Sequence, residues 1–446
     1  MVKIIALKTH DIRFPTTLDA TGSDAVNFGD YSAAATYLTT DDSSLKGYGM
    51  TFTNGRGTEV VCACINALSS WVIGRELEEI TANFGKFWHK LVSDDSLRWI
   101  GPEKGVIHLA TASIFNAIWD LWARKEGKPV WRLVADFTPE QLVSTIDFSW
   151  IADVITPEEA IQLLKDSSVG KAGRIEDAIN NDAVPIYSTT AGWLGYTDEV
   201  MVNLLHEDLA NGHVNFKFKV GQDLAEDKRR LSLARKIIGD KTLMIDANQV
   251  WDVNVAIEWV KELAEFKPWF IEEPTSPDDC VGHKTIRDAL KPYGIAVATG
   301  EMAQNRVIWK QLFQLGAIDI AQVDACRLGG LNEVLSVLLM AKKFGVQVCP
   351  HSGGVGLPEL TQHVATIDYV VFSGKKSMLE YIGHLHENFY DPALVENGYV
   401  ITPKVPGYSV QFKEESLATY EYPNGSFWTS EAAKPIVNKK PPLKFI

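Results

Sequence analysis

The 446-residue sequence predicts a (β/α)8 barrel preceded by a small α+β domain. From about residue 184, short apolar strands alternate with helical segments. The strands end in ionisable residues at intervals of 23 to 29 residues, which is about the length of one βα unit in an eight-unit barrel of roughly 250 residues. These residues are Lys219, Asp246, Glu272, Glu301, Asp324, His351 and Glu380. An open doubly wound sheet is the alternative, and it is disfavoured because no Gly-x-Gly-x-x-Gly motif follows the first strand and no Walker loop occurs.

The N-terminal α+β domain is predicted over residues 1–135. Strands are expected over 3–9, 33–39 and 47–53, followed by helices over 58–126. The strongest helix is Val106–Lys125, which ends at Gly127-Lys-Pro129 as helices commonly do. Residues 18–31 form a long polar loop rich in Asp and Gly. Such a loop on a rigid scaffold is a candidate lid, with a solvated connection as the alternative.

The barrel elements are predicted in order after a charged, helix-rich insert over 136–182, in which we find no chemistry. Strands are expected over 184–190, 214–220, 242–246, 269–272, 296–299, 318–323, 346–349 and 369–381, and helices over 198–210, 224–238, 253–266, 284–290, 305–315, 332–344 and 359–365. Residues 385–446 lack this alternation, contain one short strand candidate at 408–412, and are expected to pack back on the N-terminal domain. The prediction is therefore a capping domain of 1–135 completed by 385–446, with the barrel over 136–384.

Composition limits the partners and the location. The net charge of −14 argues against binding to nucleic acid or to anionic membranes. No stretch approaches 18 uninterrupted apolar residues, and the N-terminus does not resemble a signal peptide, so a protein outside membranes is expected. The five cysteines are odd in number and scattered, which favours a reducing, cytoplasmic location. Cys62 and Cys64 lie in an apolar helical stretch, where a buried structural role is favoured over a metal pair.

The predicted strand Val214–Val220 separates into two faces. Val214, Phe216, Phe218 and Val220 alternate with Asn215, Lys217 and Lys219. A surface strand with both lysines in water is the simple interpretation. The ring of ionisable strand ends favours a second one, in which the two lysines face the interior of the barrel.

Three carboxylates end consecutive strands of this ring. Asp246, Glu272 and Glu301 would repel one another at one rim, because like charges at close range raise each other's pKa. A divalent cation removes this conflict, and a ligand set made only of oxygen favours Mg²⁺ over Zn²⁺ or copper. Three separate structural salt bridges are the alternative.

Asp324 and His351 end the next two strands. A carboxylate beside an imidazole fixes its tautomer and raises its basicity, as acid/base catalysis requires. Lys219 is the candidate base, with its pKa expected to be lowered by Lys217 and by a bound cation. These groups suit removal of a proton α to a carboxylate, because the metal stabilises the charge of the enediolate.

The motifs that hold these residues resemble those of the enolase superfamily, mandelate racemase subgroup. The motifs are Lys217-Phe-Lys219, Asp246-Ala-Asn248, Ile271-Glu-Glu-Pro274 and Gly300-Glu301, together with Asp324 and His351. Four longer stretches, at 11–16, 98–106, 272–279 and 350–357, resemble the acid sugar dehydratases that act on L-fuconate or L-galactonate. The resemblance covers nearly the whole chain.

This resemblance implies a capping domain on a modified (β/α)7β barrel, which replaces eight equal repeats. It implies Mg²⁺ bound by Asp246, Glu272 and Glu301, with Lys219 as base and Asp324–His351 as a catalytic dyad. The substrate-binding positions that it implies are Gly22, Tyr31, Lys217, Asn248, Glu301, His351 and Glu380. Gly22 and Tyr31 fall in the loop that would close over the substrate. The resemblance also suggests a homo-oligomer.

The hypothesis is a hydro-lyase acting on a sugar acid. Lys219 removes the C2 proton, Lys217 and Glu380 assist the enediolate, and His351 protonates the departing 3-hydroxyl to give a 2-keto-3-deoxy acid. The sequence leaves L-fuconate and L-galactonate open, as well as syn or anti elimination. A racemase or epimerase on the same scaffold is one alternative, and a catalytically idle scaffold or binding protein is another.

Overall fold

The computed structural model describes residues 1–437. Residues 438–446, the end of the predicted capping segment, lie outside the described residues. The chain opens with a three-stranded antiparallel sheet of β1 (Ile4–Arg13), β2 (Tyr31–Thr40) and β3 (Lys46–Asn54), in that order. This confirms three predicted strands, each longer than the alternation alone indicated.

Helices cover this sheet and complete the N-terminal region. They are α1 (Thr58–Leu68), α2 (Leu77–Ala82), α3 (Phe84–Val92), α4 (Gly105–Lys125) and α5 (Val130–Asp136). Helix α4 approaches β3 closely because Gly49 has no side chain; a Cβ there would lie 2.2 Å from the backbone nitrogen of Ala117. Helix α4 is long and apolar enough to cross a membrane, but 83% of that stretch is buried inside the protein, so its environment here is a protein core.

Three further helices precede the barrel and confirm the helix-rich insert. They are α6 (Pro139–Ser144), α7 (Pro157–Ser167) and α8 (Lys171–Asn180). Thr138 and Thr156 start the first two, because each hydroxyl accepts a hydrogen bond from the backbone N–H three residues later and each is followed by proline.

Eight parallel strands curl into a barrel. They are β4 (Ile186–Ser188), β5 (Asn215–Lys219), β6 (Thr242–Asp246), β7 (Phe270–Glu272), β8 (Ala296–Thr299), β9 (Ile320–Ala321), β10 (Gln347–Val348) and β11 (Leu379–Tyr381). Pairing runs β10-β9-β8-β7-β6-β5-β4-β11. Across the remaining gap, the Glu380 N–H donates to the Pro350 carbonyl at 3.3 Å and joins β11 to the end of β10.

Seven helices follow the first seven barrel strands in the described chain. They are α9 (Asp198–Ala210), α10 (Leu224–Ile238), α11 (Val253–Leu263), α12 (Cys280–Leu290), α13 (Arg306–Leu315), α14 (Leu331–Phe344) and α15 (Leu357–Ile367). The arrangement is (β/α)7β, as the family resemblance implied, rather than eight equal repeats. The last predicted strand, 369–381, was too long: α15 continues as a π-helical turn over Asp368–Ser373, which leaves only β11 extended.

The C-terminal segment returns to the first strand of the chain. It contains β12 (Val395–Glu396), β13 (Tyr399–Val400), α16 (Glu414–Tyr420) and α17 (Lys434–Val437). The Tyr422 N–H donates to the Asp11 carbonyl at 2.7 Å, and the Trp428 indole donates to the Arg13 carbonyl at 3.2 Å. The tail therefore contacts the N-terminal sheet, while the predicted domain boundaries at 135 and 384 stay predictions.

The strand predicted at 408–412 is wrong. The Tyr408 N–H donates to a carboxylate oxygen of Asp120 at 2.6 Å instead of to a neighbouring strand. Phe412 forms only an isolated bridge with Phe389. The apolar alternation there reflects burial against the core rather than sheet pairing.

The barrel interior is filled below its upper rim. Tyr187, Met244, Phe270, Ala298, Ile320 and Cys349 form a separate buried apolar cluster. Lys219, Asp246 and Glu272 are the last residues of β5, β6 and β7, so their side chains gather at the carboxyl ends of the strands. The interior below these residues is filled by the apolar cluster, so the space for a ligand lies at the carboxyl ends of the strands, toward the N-terminal region.

Candidate active site

The two lysines of β5 are buried inside the barrel, so the surface-strand interpretation is wrong. The Lys217 side chain is fully buried, whereas Val214, just before the strand, is 50% exposed. The Lys217 Nζ lies 2.8 Å from Glu272 Oε2 and 2.7 Å from Glu380 Oε1. The Lys219 Nζ lies 2.5 Å from Asp246 Oδ2.

Three carboxylates meet at this rim as predicted. One oxygen from each of Asp246, Glu272 and Glu301 lies within 4.8 Å of the others. The Glu272 Oε1 is buried and has no hydrogen-bond partner among the described residues, and such an orphaned oxygen is costly unless a ligand or ion occupies it. The donor set is made only of oxygen, so these residues fit a hard divalent cation such as Mg²⁺.

The pKa values of Glu272 and Asp246 are shifted in opposite directions by burial and by neighbouring charges. Burial, followed by the charge of Asp246, raises the pKa of Glu272 to about 8. Burial also acts to raise the pKa of Asp246, but Lys219 and Lys217 outweigh it and lower that pKa to about 2. The rim therefore concentrates negative charge that a bound cation would relieve.

The pKa predicted for Lys219 includes the effect of a bound cation and stays a prediction. Burial, and to a lesser extent Lys217, act to lower it, but the Asp246 carboxylate outweighs both and the pKa is raised above its usual value. The lysine therefore keeps its proton while Asp246 is not shared with a cation.

Asp324 and His351 form the predicted pair. The His351 Nδ1 lies 2.8 Å from Asp324 Oδ2. The other Asp324 oxygen accepts hydrogen bonds from the backbone N–H groups of Cys326 at 2.6 Å and Arg327 at 2.9 Å, which fixes the carboxylate. Burial acts to lower the pKa of His351, but Glu301 and Asp324 raise it to about 9. The imidazole is thus protonated at neutral pH, and it is held by Nδ1 with Nε2 3.3 Å from Glu301 Oε2.

Glu380 belongs to the same ring. Its Oε1 contacts Lys217, and its Oε2 accepts a hydrogen bond from the Ser352 N–H at 2.9 Å. The same oxygen is 3.8 Å from the His351 Nε2. The pairing of β11 beside β4 brings Glu380 here, although it is remote in sequence from Lys217.

The loop of the N-terminal domain closes the top of the cavity. A Cβ on Gly22 would lie 2.5 Å from the Tyr31 ring, so only glycine allows this approach, and its φ of +77° also favours glycine. Tyr31 packs edge-on against Phe52 and Trp193. Gly22, Tyr31, Lys219, Asn248, Glu301, Asp324 and His351 all line this one cavity. Lys217, Asp246, Glu272 and Glu380 are not among the lining residues and belong to the buried ring that Lys219, Glu301 and His351 border.

Sequence reasoning missed several residues of the cavity wall. They are Asp24, Asn27, Phe52, Asn54, Leu109, Trp193, Cys326, Arg327 and Gly353. It also assigned no role to Glu273, which is fully buried beside the triad and has one carboxylate oxygen without a partner in the described chain. Most of these residues precede or follow the regular strand ends, so no spacing signal marks them.

Comparison with known proteins identifies the class. Residues 200–416 match the family described as Enolase C-terminal domain-like. The crystal structure of human mitochondrial enolase superfamily member 1 has 50% sequence identity and a TM-score of 0.94, and the match covers 96% of this chain and 98% of that one. The chain therefore belongs to the enolase superfamily.

Within that superfamily, one relative bears on the reaction class and another on the fold. The L-galactonate dehydratase of Hypocrea jecorina is 60% identical over 444 residues, which cover 98% of this chain and 98% of that protein. The L-talarate/galactarate dehydratase of Salmonella typhimurium LT2, solved with Mg and L-lyxarohydroxamate, has a TM-score of 0.72 at 23% identity, and the match covers 93% of this chain and 91% of that one. The second similarity supports the fold alone.

Proposed function

We propose that this protein is a hydro-lyase that dehydrates an acid sugar of L-galacto configuration to a 2-keto-3-deoxy acid. The observation that carries the proposal is a single cavity lined by both Lys219 and the Asp324-paired His351, at the edge of a three-carboxylate cluster. The 60% identity to an L-galactonate dehydratase supports L-galactonate as substrate. L-fuconate, its 6-deoxy counterpart, has the same stereochemistry at the reacting carbons.

Asp246, Glu272 and Glu301 would hold Mg²⁺. When bound, the ion supplies positive charge beside the substrate carboxylate, which favours the negative charge that develops as the C2 proton leaves. The buried ammonium of Lys217 lies against Glu272 and Glu380 and adds a second fixed positive charge at the same place.

The Lys219 Nζ is proposed to accept the C2 proton. Its amine must be neutral to do so, and the contact with Asp246 at 2.5 Å opposes this. If Asp246 held a metal ion, its charge would be shared, its attraction for the lysine proton would weaken and the pKa of Lys219 would fall. Trp193, whose ring centroid lies 5.4 Å from Nζ, shields the amine from water.

His351 is proposed to protonate the departing 3-hydroxyl. Asp324 anchors Nδ1, so that Nε2 is the nitrogen that donates. A cytoplasmic location and a homo-oligomer remain part of the proposal.

The test is product analysis on a stereochemical library of hexonates with Mg²⁺. We expect a 2-keto acid from L-galactonate or L-fuconate, loss of turnover with EDTA, and recovery when Mg²⁺ is restored in excess. An epimer without keto acid would instead establish a racemase, and turnover of no hexonate would favour an idle scaffold. Activity that is indifferent to both EDTA and Mg²⁺ would contradict the metal-assisted reaction.

A further inference from the structure

Asn54, the last residue of β3, borders the active-site cavity with an amide that the protein leaves unused. Its side chain forms no hydrogen bond with any described residue, and its Oδ1 is buried. A buried amide oxygen without a partner costs free energy unless a ligand completes it. The cavity therefore contains a polar group that is available to a substrate.

The other polar groups of the capping loop are already engaged. Asp24 accepts hydrogen bonds from the Val26 N–H at 2.7 Å and the Asn27 N–H at 2.5 Å. The Asn27 amide donates to the remaining Asp24 oxygen at 3.0 Å. Tyr31 is assigned to substrate binding already, so Asn54 is the additional group of the cap with free hydrogen-bonding capacity.

The position of Asn54 points to the far end of a sugar acid. In the proposed reaction Lys219 and His351 act at C2 and C3 of the substrate, and a buried apolar cluster fills the barrel below the rim. Carbons C4 to C6 must therefore extend toward the cap. Phe52 packs on Gly354, three residues after His351. Asn54 lies on the same face of β3 as Phe52, roughly 7 Å further along the strand.

Gly29 leaves the space that the Asn54 amide occupies. A Cβ on Gly29 would lie 2.6 Å from Asn54 Oδ1 and 2.8 Å from its Cγ. The absence of a side chain at this position is thus what allows the amide to lie against the loop. The position of the amide therefore depends both on Asn54 in the strand and on Gly29 in the loop.

We propose that the Asn54 amide hydrogen-bonds the C6 hydroxyl of the bound aldonate, so that the enzyme selects L-galactonate over L-fuconate. This inference rests on the proposed dehydratase function. A site that pairs with a substrate hydroxyl rejects the analogue that lacks it, because the amide then stays buried without a partner. One methyl group in an open apolar pocket would discriminate only weakly.

The experiment compares kcat/KM for both substrates in the full-length protein with Mg²⁺. For the wild type we expect L-galactonate to exceed L-fuconate by about tenfold or more, the value of one neutral hydrogen bond and its unpaired alternative. In Asn54→Leu this preference should shrink to within about threefold, mainly through loss on L-galactonate. Asn27→Leu makes the same chemical change at another cavity-lining asparagine and should leave the preference intact.

A second variant keeps the amide and moves it. Gly29→Ala should also reduce the preference for L-galactonate, although no polar group is removed. Binding of both sugar acids to the Lys219→Ala variant, measured by calorimetry with and without Asn54→Leu, separates recognition from turnover. We expect the difference in affinity between the two acids to fall by about tenfold when Asn54 is replaced.

The outcomes separate the two hypotheses. If the wild type forms no 2-keto acid from either acid and binds neither, the proposed function is wrong and this inference fails with it. If the wild type dehydrates both acids and Asn54→Leu leaves the ratio of their kcat/KM values unchanged, or lowers both values equally, the proposed function stands. The recognition of the C6 hydroxyl by Asn54 is then overturned.

Discussion

The buried polar groups of the barrel rim differ from those of the seam, by which we mean the contacts of His108 and His363 between the barrel and the segments that cover it. At the rim, the buried ammonium groups of Lys217 and Lys219 both contact Asp246, whose pKa they lower to about 2 although burial acts to raise it. At the seam, His108 and His363 are fully buried, and burial lowers the pKa of each to about 3, so both are neutral. The charged groups of the rim can bind a substrate and transfer protons. The neutral hydrogen bonds of the seam join the barrel to the segments that cover it.

This contrast follows from what each region contacts. A charge is stable inside a protein only when opposite charges or ions surround it, and the rim provides them in both signs. The His363 Nδ1 accepts from the Trp131 N–H at 3.2 Å, and Nε2 lies 2.9 Å from the Ser409 hydroxyl. These are neutral partners, so protonation of His363 would place two N–H donors face to face.

The largest expected effect is at the rim. Replacing Lys219 with Ala should lower kcat by about 10³-fold, because a general base commonly contributes 10²- to 10⁴-fold. The unfolding temperature is compared with that of wild type to show that the fold persists. Turnover of aldonates at the wild-type rate would show that Lys219 is not the base.

Asp324→Asn should have a smaller effect, about 100-fold on kcat, because the His351 imidazole remains but loses the carboxylate that orients it and raises its pKa. The basic limb of the pH–rate profile, where His351 loses its proton, should move to lower pH in the variant. Glu421→Gln removes a similar contact, 2.7 Å from His10 and away from the cavity, and should leave kcat unchanged. Equal losses in both variants would contradict a catalytic pair.

On the capping side, Gly22→Ala should raise KM by about tenfold with a smaller change in kcat. The added methyl would meet the Tyr31 ring at 2.5 Å, and the φ of +77° disfavours alanine, at a cost of about 1–3 kcal/mol for the closed loop. Gly74→Ala is the matched control, since its φ is +89° and nothing lies within 4 Å. If both variants raise KM alike, the contact with Tyr31 is not what closes the loop.

The last prediction concerns stability rather than turnover and tests the neutral seam. The unfolded histidine takes up a proton below its ordinary pKa of 6.5, whereas folded His363 does so only near pH 3. The unfolded state therefore binds more protons between these values, and stability is lost as the pH falls through this window, by at most about 1.4 kcal/mol per pH unit for this group. The unfolding temperature of His363→Gln should fall less steeply from pH 6.5 to 4 than that of wild type. Parallel curves would mean that His363 is not buried in the neutral form.

The sequence placed the rim residues well because they lie at or just after the ends of regular strands: Lys219, Asp246 and Glu272 are last residues, and Glu301 follows its strand by two. One βα unit has a nearly fixed length, so spacing alone placed Asp246, Glu272 and Glu301 at the carboxyl ends of consecutive strands. The same reasoning could not find Asn54 or Arg327. Their place on the cavity wall depends on how the cap lies over the barrel, and no short-range pattern encodes that contact.

The alternation of apolar residues also predicted a strand where the structure has none, because buried residues can alternate without sheet pairing. The segment 408–412 alternates like a strand, but its backbone bonds to Asp120 on helix α4, more than 280 residues away in the chain. The electrostatic surroundings of Lys219 also depend on the tertiary structure. A neighbouring lysine was visible in sequence, whereas the 2.5 Å contact with Asp246 that raises the pKa of Lys219 exists only in the folded barrel.

By itself, the sequence determined the order of strands and helices, the set of charged groups at the strand ends and the chemistry they can perform, because these depend on residue type and spacing along the chain. Only the tertiary structure decided the closure of the cavity, the partners that set each pKa and the unused amide of Asn54. Those properties depend on distances between residues that are far apart in sequence, and electrostatic and steric energies change steeply over a few ångströms.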